Sequence, residues 1–354
     1  MQEHAEAATL LDGEVRWTFT PPDRLARLGR ALLAGRDDAA VKAPAWHVLA
    51  PVEAQRPDVI HSFDMVFYPT LAGLARVAAR RGAALVTTFH GGAPARTQPL
   101  RWIERAALRG VHRLMFTTRE RGLAWVQSGA LPDDARIAEV FESSSVFSPG
   151  DRAAARRDRP LRGAPALLHV GRLDPVKDPI TTLSGFRRLL ARLPEAHLSL
   201  AWTGGALEAP CRAAAADLPV TWLGAVPRAR MEGLLRAADL LVQSSVREVC
   251  GYAVLEALAV GTPPVLSEIP PFRRLTDGGR VGALFPVGDP DGLARAVERA
   301  WAEVRQGALS PEIVRAWFDA ALSFDVLAAR TEAVYESALQ EMRSTGGDRA
   351  SSPP

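Results

Sequence analysis

From about residue 164 to 300 the chain alternates short apolar runs with stretches in which apolar positions recur at helical spacing. The runs Ala166–Val170, Leu198–Trp202, Val220–Leu223, Leu240–Gln243, Pro264–Ser267 and Ala283–Phe285 read as strands. Between them the pattern predicts helices over Pro179–Arg192, Ala206–Ala216, Arg228–Ala238, Tyr252–Val260 and Pro290–Arg305. Strands that alternate with helices build a parallel sheet covered on both faces, and such sheets bind ligands beyond the carboxyl ends of their strands. The fold class is therefore α/β.

The first 150 residues repeat this rhythm, with strands predicted at Glu14–Phe19, Asp58–His61, Ala84–Phe89, Arg113–Thr118 and Ile137–Phe141. Two domains follow: 1–148 at the N-terminus and 164–311 at the C-terminus. Residues 149–163, opening on Pro149 and Gly150 and rich in charge, read as the linker. A last helix over about 326–342 is assigned to pack back on the N-terminal domain. The Ser, Gly and Pro-containing tail, 343–354, reads as disordered.

Composition narrows the class. At 354 residues, 47% hydrophobic and 23% charged, the chain suits two globular cores. A net charge of +3, from 43 basic against 40 acidic residues, makes no case for a nucleic-acid partner. No run approaches the ~20 apolar residues of a membrane span, and Met1 to Glu6 carry no signal-peptide pattern. Two cysteines, Cys211 and Cys250, make no disulfide framework. A cytoplasmic location is expected. The basic residues are almost all arginine, with Lys42 and Lys177 the lysines of the chain. Zinc-ligand spacing, a Walker loop and a Gly-x-Gly-x-x-Gly fingerprint are all missing from the sequence.

The chemistry concentrates in two segments. Glu248 and Glu256 bracket a turn into an apolar helix through Cys250, Gly251, Tyr252, Ala253, Val254 and Leu255, which stops at Gly261. A glycine at a helix start admits a ligand close to the backbone, and the free amides and positive dipole end there suit a phosphate. Flanking carboxylates accept hydrogen bonds from hydroxyls, so the element describes a phosphate between hydroxyls, as in a nucleotide sugar. The second segment, Gly171 to Pro179 after the strand Ala166–Val170, places Arg172 and Lys177 at a strand's carboxyl end. Two cations there can neutralise a diphosphate and stabilise the charge that develops as it leaves. The competing reading is a solvated turn capped by Asp178. With no convincing Asp-x-Asp metal site in the sequence, no metal is expected.

These segments, with Ser244–Ser245 and the run Val281 to Pro290, resemble the donor-binding domain of glycosyltransferase family 4, retaining enzymes of the GT-B fold. The resemblance covers most of residues 164 to 300. It implies two Rossmann-like, doubly wound domains facing a cleft, and a retaining, metal-independent transfer from a nucleoside diphosphate sugar to a hydroxyl acceptor, with no cofactor beyond that co-substrate. By position, Arg172 and Lys177 bind the pyrophosphate, Gly171, Gly204, Ser245, Gly251, Tyr252, Ala253 and Val254 meet the donor, Glu248 contacts the transferred sugar and Glu256 holds the ribose. In the N-terminal domain His90 resembles the histidine near the reacting centre, so Glu248, His90, Arg172 and Lys177 form the catalytic set, with Gly91 and Gly92 on the acceptor side. His61 has a weaker claim, and His169 reads as core. Trp222 to Val226 resemble the segment lining the base.

Two departures are visible. Leu10 to Trp17 read as the end of the first helix and the second strand, so the N-terminal domain is expected to be incomplete, without its first strand and glycine-rich loop. Phe141 to Pro149 replace the family's Asn-Gly-Val-Asp run. The first departure motivates an alternative, an inactive GT-B homologue that binds a nucleotide sugar or a partner glycosyltransferase. A sugar-nucleotide epimerase fits the fold but not the two-glutamate element. Residues 76 to 121 hold ten arginines against Glu104 and Glu120. Arg101, Arg105 and Arg109 recur at i, i+4 and i+8 beside Trp102 and Ile103, a face suited either to solvent or to peripheral contact with an anionic inner membrane surface.

Overall fold

A computed structural model describes residues 8–12, 15–19, 46–63, 68–91, 93–94, 98–158 and 161–350. The chain divides into two compact units, Met1–Val140 with Ala329–Pro354, and Phe141–Ala328.

In the N-terminal unit, β1 (Ala8–Asp12) and β2 (Val15–Phe19) pair antiparallel with Asp12 opposite Val15. Then come α1 (Leu49–Ala54), β3 (Val59–Phe63), α2 (Tyr68–Arg81), β4 (Ala84–Thr88), α3 (Gln98–Leu108), β5 (Arg113–Phe116), α4 (Arg119–Gln127) and β6 (Ile137–Glu139). The strands β3 to β6 form a parallel sheet in sequence order. Every residue of β4 is buried, as a strand covered on both faces requires. Its Leu85 packs into a core with Phe116, Trp125 and Val77.

The second unit holds α5 (Arg152–Asp158), β7 (Ala166–Val170), α6 (Pro179–Leu189), β8 (His197–Ala201), α7 (Glu208–Ala214), β9 (Val220–Gly224), α8 (Arg228–Ala237), β10 (Leu240–Gln243), α9 (Tyr252–Val260), β11 (Pro264–Ser267), α10 (Pro270–Leu275), β12 (Ala283–Phe285), α11 (Pro290–Gln306) and α12 (Pro311–Ala321). Its parallel sheet runs β12-β11-β10-β7-β8-β9, a doubly wound order. The chain winds outward one way from β7 and the other way from β10, so the loops after these neighbours diverge and leave a crevice at their carboxyl ends. Leu167, Leu240, Phe186 and Val297 lie in the core beneath.

Several expectations are corrected. Leu10 to Asp12, expected as a helix end, belong to the strand β1, whereas the strand expected after them is β2; β-branched and aromatic residues flank an Asp-Gly turn signal, which outweighs helical spacing over so short a stretch. Gly13 and Glu14 lie outside the described residues. The expected linker contains α5, whose Arg152 and Arg156 both pair with the buried Asp239 at 2.6 Å. Asp239 also accepts from the Ala166 amide at 2.7 Å, so this charged patch anchors the first strand of the second sheet. That unit extends past residue 311: a Cβ on Gly261 would stand 2.6 Å from the Pro311 carbonyl oxygen, which measures how closely α12 crosses the end of α9. Finally, α13 (Phe324–Ala350) continues through the first part of the predicted disordered tail. Arg113 bonds Ser337 Oγ at 2.7 Å and pairs with Glu341, and from such an anchored turn each added residue gains a helical bond. Residues 351–354 lie outside the description.

Candidate functional site

The crevice at the carboxyl ends of β7, β8 and β10 is a cavity of about 300 Å³. Gly171, Arg172, Lys177, Glu248, Gly251, Tyr252, Ala253 and Glu256 line it, so both segments singled out in the sequence converge on one space.

Local interactions explain how. Asp174 accepts from the amides of Val176 and Lys177, both at 3.0 Å, which folds the loop after β7 back on itself. The same carboxylate holds Arg172 at 2.9 Å. Asp178 adopts a φ of +46° and caps α6, its side chain accepting from Thr181 Oγ1 at 2.6 Å. The Asp178 carbonyl accepts from Ser244 Oγ at 2.6 Å, which ties the loop after β7 to the end of β10.

Lys177 Nζ pairs with Glu248 Oε1, and Ser245 Oγ donates to the same oxygen at 2.9 Å. With side chains only 21% and 10% exposed, this pair holds both groups on the wall. Arg172 is paired with Asp174 at a more open position, its side chain 61% exposed.

Gly251 precedes α9 with a φ of +74°, a conformation that favours glycine, and a Cβ there would stand 3.0 Å from Phe272. This turn brings the first residues of α9 to the cavity. Glu256, one turn in, pairs with Arg228 at 3.0 Å. Burial raises its carboxyl above the ordinary value, and Arg228 offsets part of that rise.

Three predicted donor residues do not line the cavity. The Val254 side chain is fully buried and its amide is taken by the Gly251 carbonyl at 2.9 Å, so it serves α9 rather than a ligand. Ser245 acts through Glu248. Gly204 sits beside the cavity-lining Thr203, and its carbonyl receives the Leu173 amide at 3.1 Å.

Of the segment Trp222 to Val226, expected at the base, Val226 lines the wall and Trp222 does not, Trp202 standing there instead. The two indoles meet edge to face at 5.5 Å, and the Arg212 guanidinium lies 4.7 Å from the Trp222 ring centroid. Sequence reasoning also missed Met231 and Gln243 on the wall; for Gln243 the available signal was a polar residue closing an apolar strand at its carboxyl end.

In the N-terminal unit, His90 and Gly91 follow β4, and the His90 ring stacks on Phe63 at 5.9 Å. Gly92 lies outside the described residues. His61 is held by Tyr335 Oη and Thr88 Oγ1, each at 2.7 Å, and burial lowers its pKa to about 4. His169 is core, as expected, at 1% exposure. Among the described residues no cluster of three or more His, Cys, Asp or Glu stands ready for a metal.

Residues 164–303 match the family described as glycosyl transferases group 1. The D-inositol 3-phosphate glycosyltransferase of Acidothermus cellulolyticus is 29% identical over 342 residues, 88% of this chain and 72% of that protein. Over residues 164–303 the chain is similar to the group 1 glycosyltransferases. The phosphatidyl-myo-inositol mannosyltransferase of Mycolicibacterium smegmatis is 33% identical over 169 residues, 45% of this chain and 43% of that one. Among solved structures, sucrose-phosphate synthase from Thermosynechococcus elongatus superimposes with a TM-score of 0.68 at 17% identity, over 95% of this chain and 87% of its own. Anabaena HepE in complex with UDP and glucose gives 0.59 at 17% identity, over 87% and 88%. The fold of this chain is thus GT-B, and the relatives support an enzyme.

Proposed function

We propose that this glycosyltransferase takes its sugar from a nucleoside diphosphate donor and passes it to a hydroxyl acceptor with retention of anomeric configuration. One observation carries the reading: two cations, two carboxylates and the amino end of α9 surround a single cavity. The UDP, glucose and UDP-glucose held by HepE support a donor of that chemistry.

The diphosphate lies between Arg172, Lys177 and the start of α9, where free amides and the positive dipole end face it. Glu256 accepts from the ribose diol, Glu248 from the transferred sugar, and the base extends toward Trp202, Thr203 and Met231. As the bond from the anomeric carbon to the leaving phosphate oxygen breaks, negative charge builds on that oxygen. Lys177 and Arg172 stabilise it, and in this reading they fill the charge-neutralising role without a metal. The acceptor hydroxyl attacks on the face the phosphate leaves and gives its proton to the departing phosphate oxygen. For the acceptor side the reading retains His90 and Gly91 of the N-terminal unit as candidates.

We further place the protein at the cytoplasmic membrane surface. Trp102 and Ile103 on α3 are 70% and 45% exposed, with Arg105 and Arg109 exposed nearby, which suits an anionic bilayer.

The donor reading is tested by assaying K177A and E248A against a panel of radiolabelled nucleotide sugars, with circular dichroism as the check on folding. Each variant is expected to lose at least a hundredfold in turnover, on the order of 3 kcal/mol of transition-state stabilisation. Unchanged rates in folded variants refute the assignment.

A further inference from the structure

Gln243 closes β10 on the floor of the cavity, and only 2% of it is exposed. Its Nε2 donates to the Val170 carbonyl at 2.7 Å. A carbonyl can only accept, so this bond settles the orientation of the amide: the nitrogen faces Val170 and the oxygen faces away. That oxygen, Oε1, is buried without a hydrogen-bond partner in the protein. Buried polar atoms are nearly always paired, and one left alone on a cavity floor calls for a donor from outside the chain.

The neighbouring side chains leave this role open. The Lys177 ammonium is taken by Glu248 and the Arg172 guanidinium by Asp174. The ligand itself narrows the choice, because ionised phosphate oxygens are acceptors and gain nothing from a second acceptor. Oε1 therefore serves a part of the ligand that carries O–H groups. A nucleotide sugar has these at two places, the ribose and the transferred sugar.

We propose that Gln243 is a specificity-determining residue of the donor site, its Oε1 accepting a hydrogen bond from a hydroxyl of the bound nucleotide sugar. The inference rests on reading the cavity as a donor site. Glu256 and Glu248 fix the two ends of the donor by charge-assisted bonds, and Gln243 adds a neutral acceptor at a point set by the sheet. Because β10 is a central strand, the position of this acceptor is held by the ladders to β7 and β11 rather than by a loop. A rigid acceptor discriminates between stereoisomers of a hydroxyl more sharply than a mobile one.

The test is calorimetric titration of wild type, Q243M and K177A with inorganic pyrophosphate, with whichever of UDP, GDP and ADP binds, and with the glucose ester of that nucleotide. Pyrophosphate is the control, since it lacks the ribose and the sugar and so carries neither set of hydroxyls. Q243M is expected to bind pyrophosphate within twofold of wild type and to lose about tenfold against a hydroxyl-bearing ligand. A loss already present with the nucleoside diphosphate assigns the hydroxyl to ribose, and a loss confined to the glucose ester assigns it to the sugar. If Q243M matches wild type for every ligand, or weakens pyrophosphate as much as the others, the inference is overturned while the donor reading stands. If K177A binds every ligand as wild type does, or no nucleoside diphosphate binds at all, the donor reading falls and takes this inference with it. Should Q243M fail to fold, deoxy analogues titrated into the wild type replace it: a tenfold loss for one missing ribose or sugar hydroxyl supports the inference, and equal affinities overturn it.

Discussion

At the scale of a single residue, Glu256 carries a carboxyl that burial makes costly to ionise, which in the proposed reading serves the ribose. Burial raises its carboxyl above the ordinary 4.5, the larger effect, and Arg228 at 3.0 Å pulls it part of the way back. A folded-state pKa above the unfolded one means that the contribution to stability is full below 4.5 and is lost as pH rises through the folded value. At neutral pH the ionised group therefore costs stability. A ribose diol donates to that ionised form, so nucleotide binding should recover what folding gives up. We expect E256Q to raise the melting temperature at pH 7 by a degree or so and to weaken nucleoside diphosphate binding about tenfold. In the wild type, affinity should fall as pH drops through the raised pKa, above 4.5, while E256Q shows a flatter profile. Calorimetric scans and titrations from pH 7 to pH 4.5 check both, and a Q variant that is less stable at pH 7 would contradict the burial argument.

At the scale of elements, α9 is held by two glycines with different duties. Gly251 and Gly261 both adopt positive φ, +74° and +84°, and flank a helix whose residues from Ala257 to Val260 are fully buried or nearly so. A Cβ at Gly261 meets the Pro311 backbone at 2.6 Å, where nothing flexible can yield, whereas at Gly251 it meets the Phe272 ring at 3.0 Å. G261A should cost about 3 kcal/mol, from strain plus the clash, and leave ligand affinity of the folded fraction unchanged. G251A should cost about 1–2 kcal/mol and also weaken ligand binding, because it shifts the amides that face the cavity. Urea denaturation and titration of the two variants separate these outcomes, and a loss of affinity in G261A would refute the division of labour. The same helix shows why much of the fold was legible in the sequence. Its apolar run ends on Gly261 and Pro263, and β7, β10, β11 and β12 begin and end where their apolar runs do, because strands buried on both faces read as nearly continuous apolar runs, with the core His169 the exception inside β7. The short α10 and the strand β1 were not legible, since six or fewer residues per element carry too little periodicity to separate helix from strand, whereas β2 falls within the strand predicted at Glu14–Phe19. In the site, Arg172, Lys177, Glu248 and Glu256 were readable because each lies within a contiguous motif. Gln243 and Trp202 reach the cavity from separate strands, and only the sheet order β10-β7-β8 makes them neighbours of those motifs.

For the whole molecule, the arrangement of functions over two cores has a consequence that can be measured. All residues lining the candidate cavity fall between Val170 and Glu256, within the unit Phe141–Ala328. The exposed Trp102 and Ile103 belong to the other unit, on a helix whose inner side is secured by buried Glu104, which accepts from Trp125 Nε1 at 3.2 Å. Arg105 is partly committed, donating to the Gly129 carbonyl at 2.9 Å, so Arg109 and Trp102 are the cleaner handles on a membrane contact. A cationic side chain near an anionic bilayer contributes about 1 kcal/mol, roughly fivefold in partitioning, and a tryptophan at the interface adds a comparable amount. The double variant W102A/R109A should therefore bind vesicles of phosphatidylglycerol at least tenfold more weakly than wild type in a sedimentation assay, while nucleoside diphosphate affinity stays within twofold. Raising salt from 50 mM to about 500 mM should weaken the wild type more than the variant, since screening acts on the charge that the variant has lost. Equal sedimentation of the two proteins at both salt concentrations would leave α3 a solvated arginine face and remove the membrane from the account of this enzyme, with the donor site untouched.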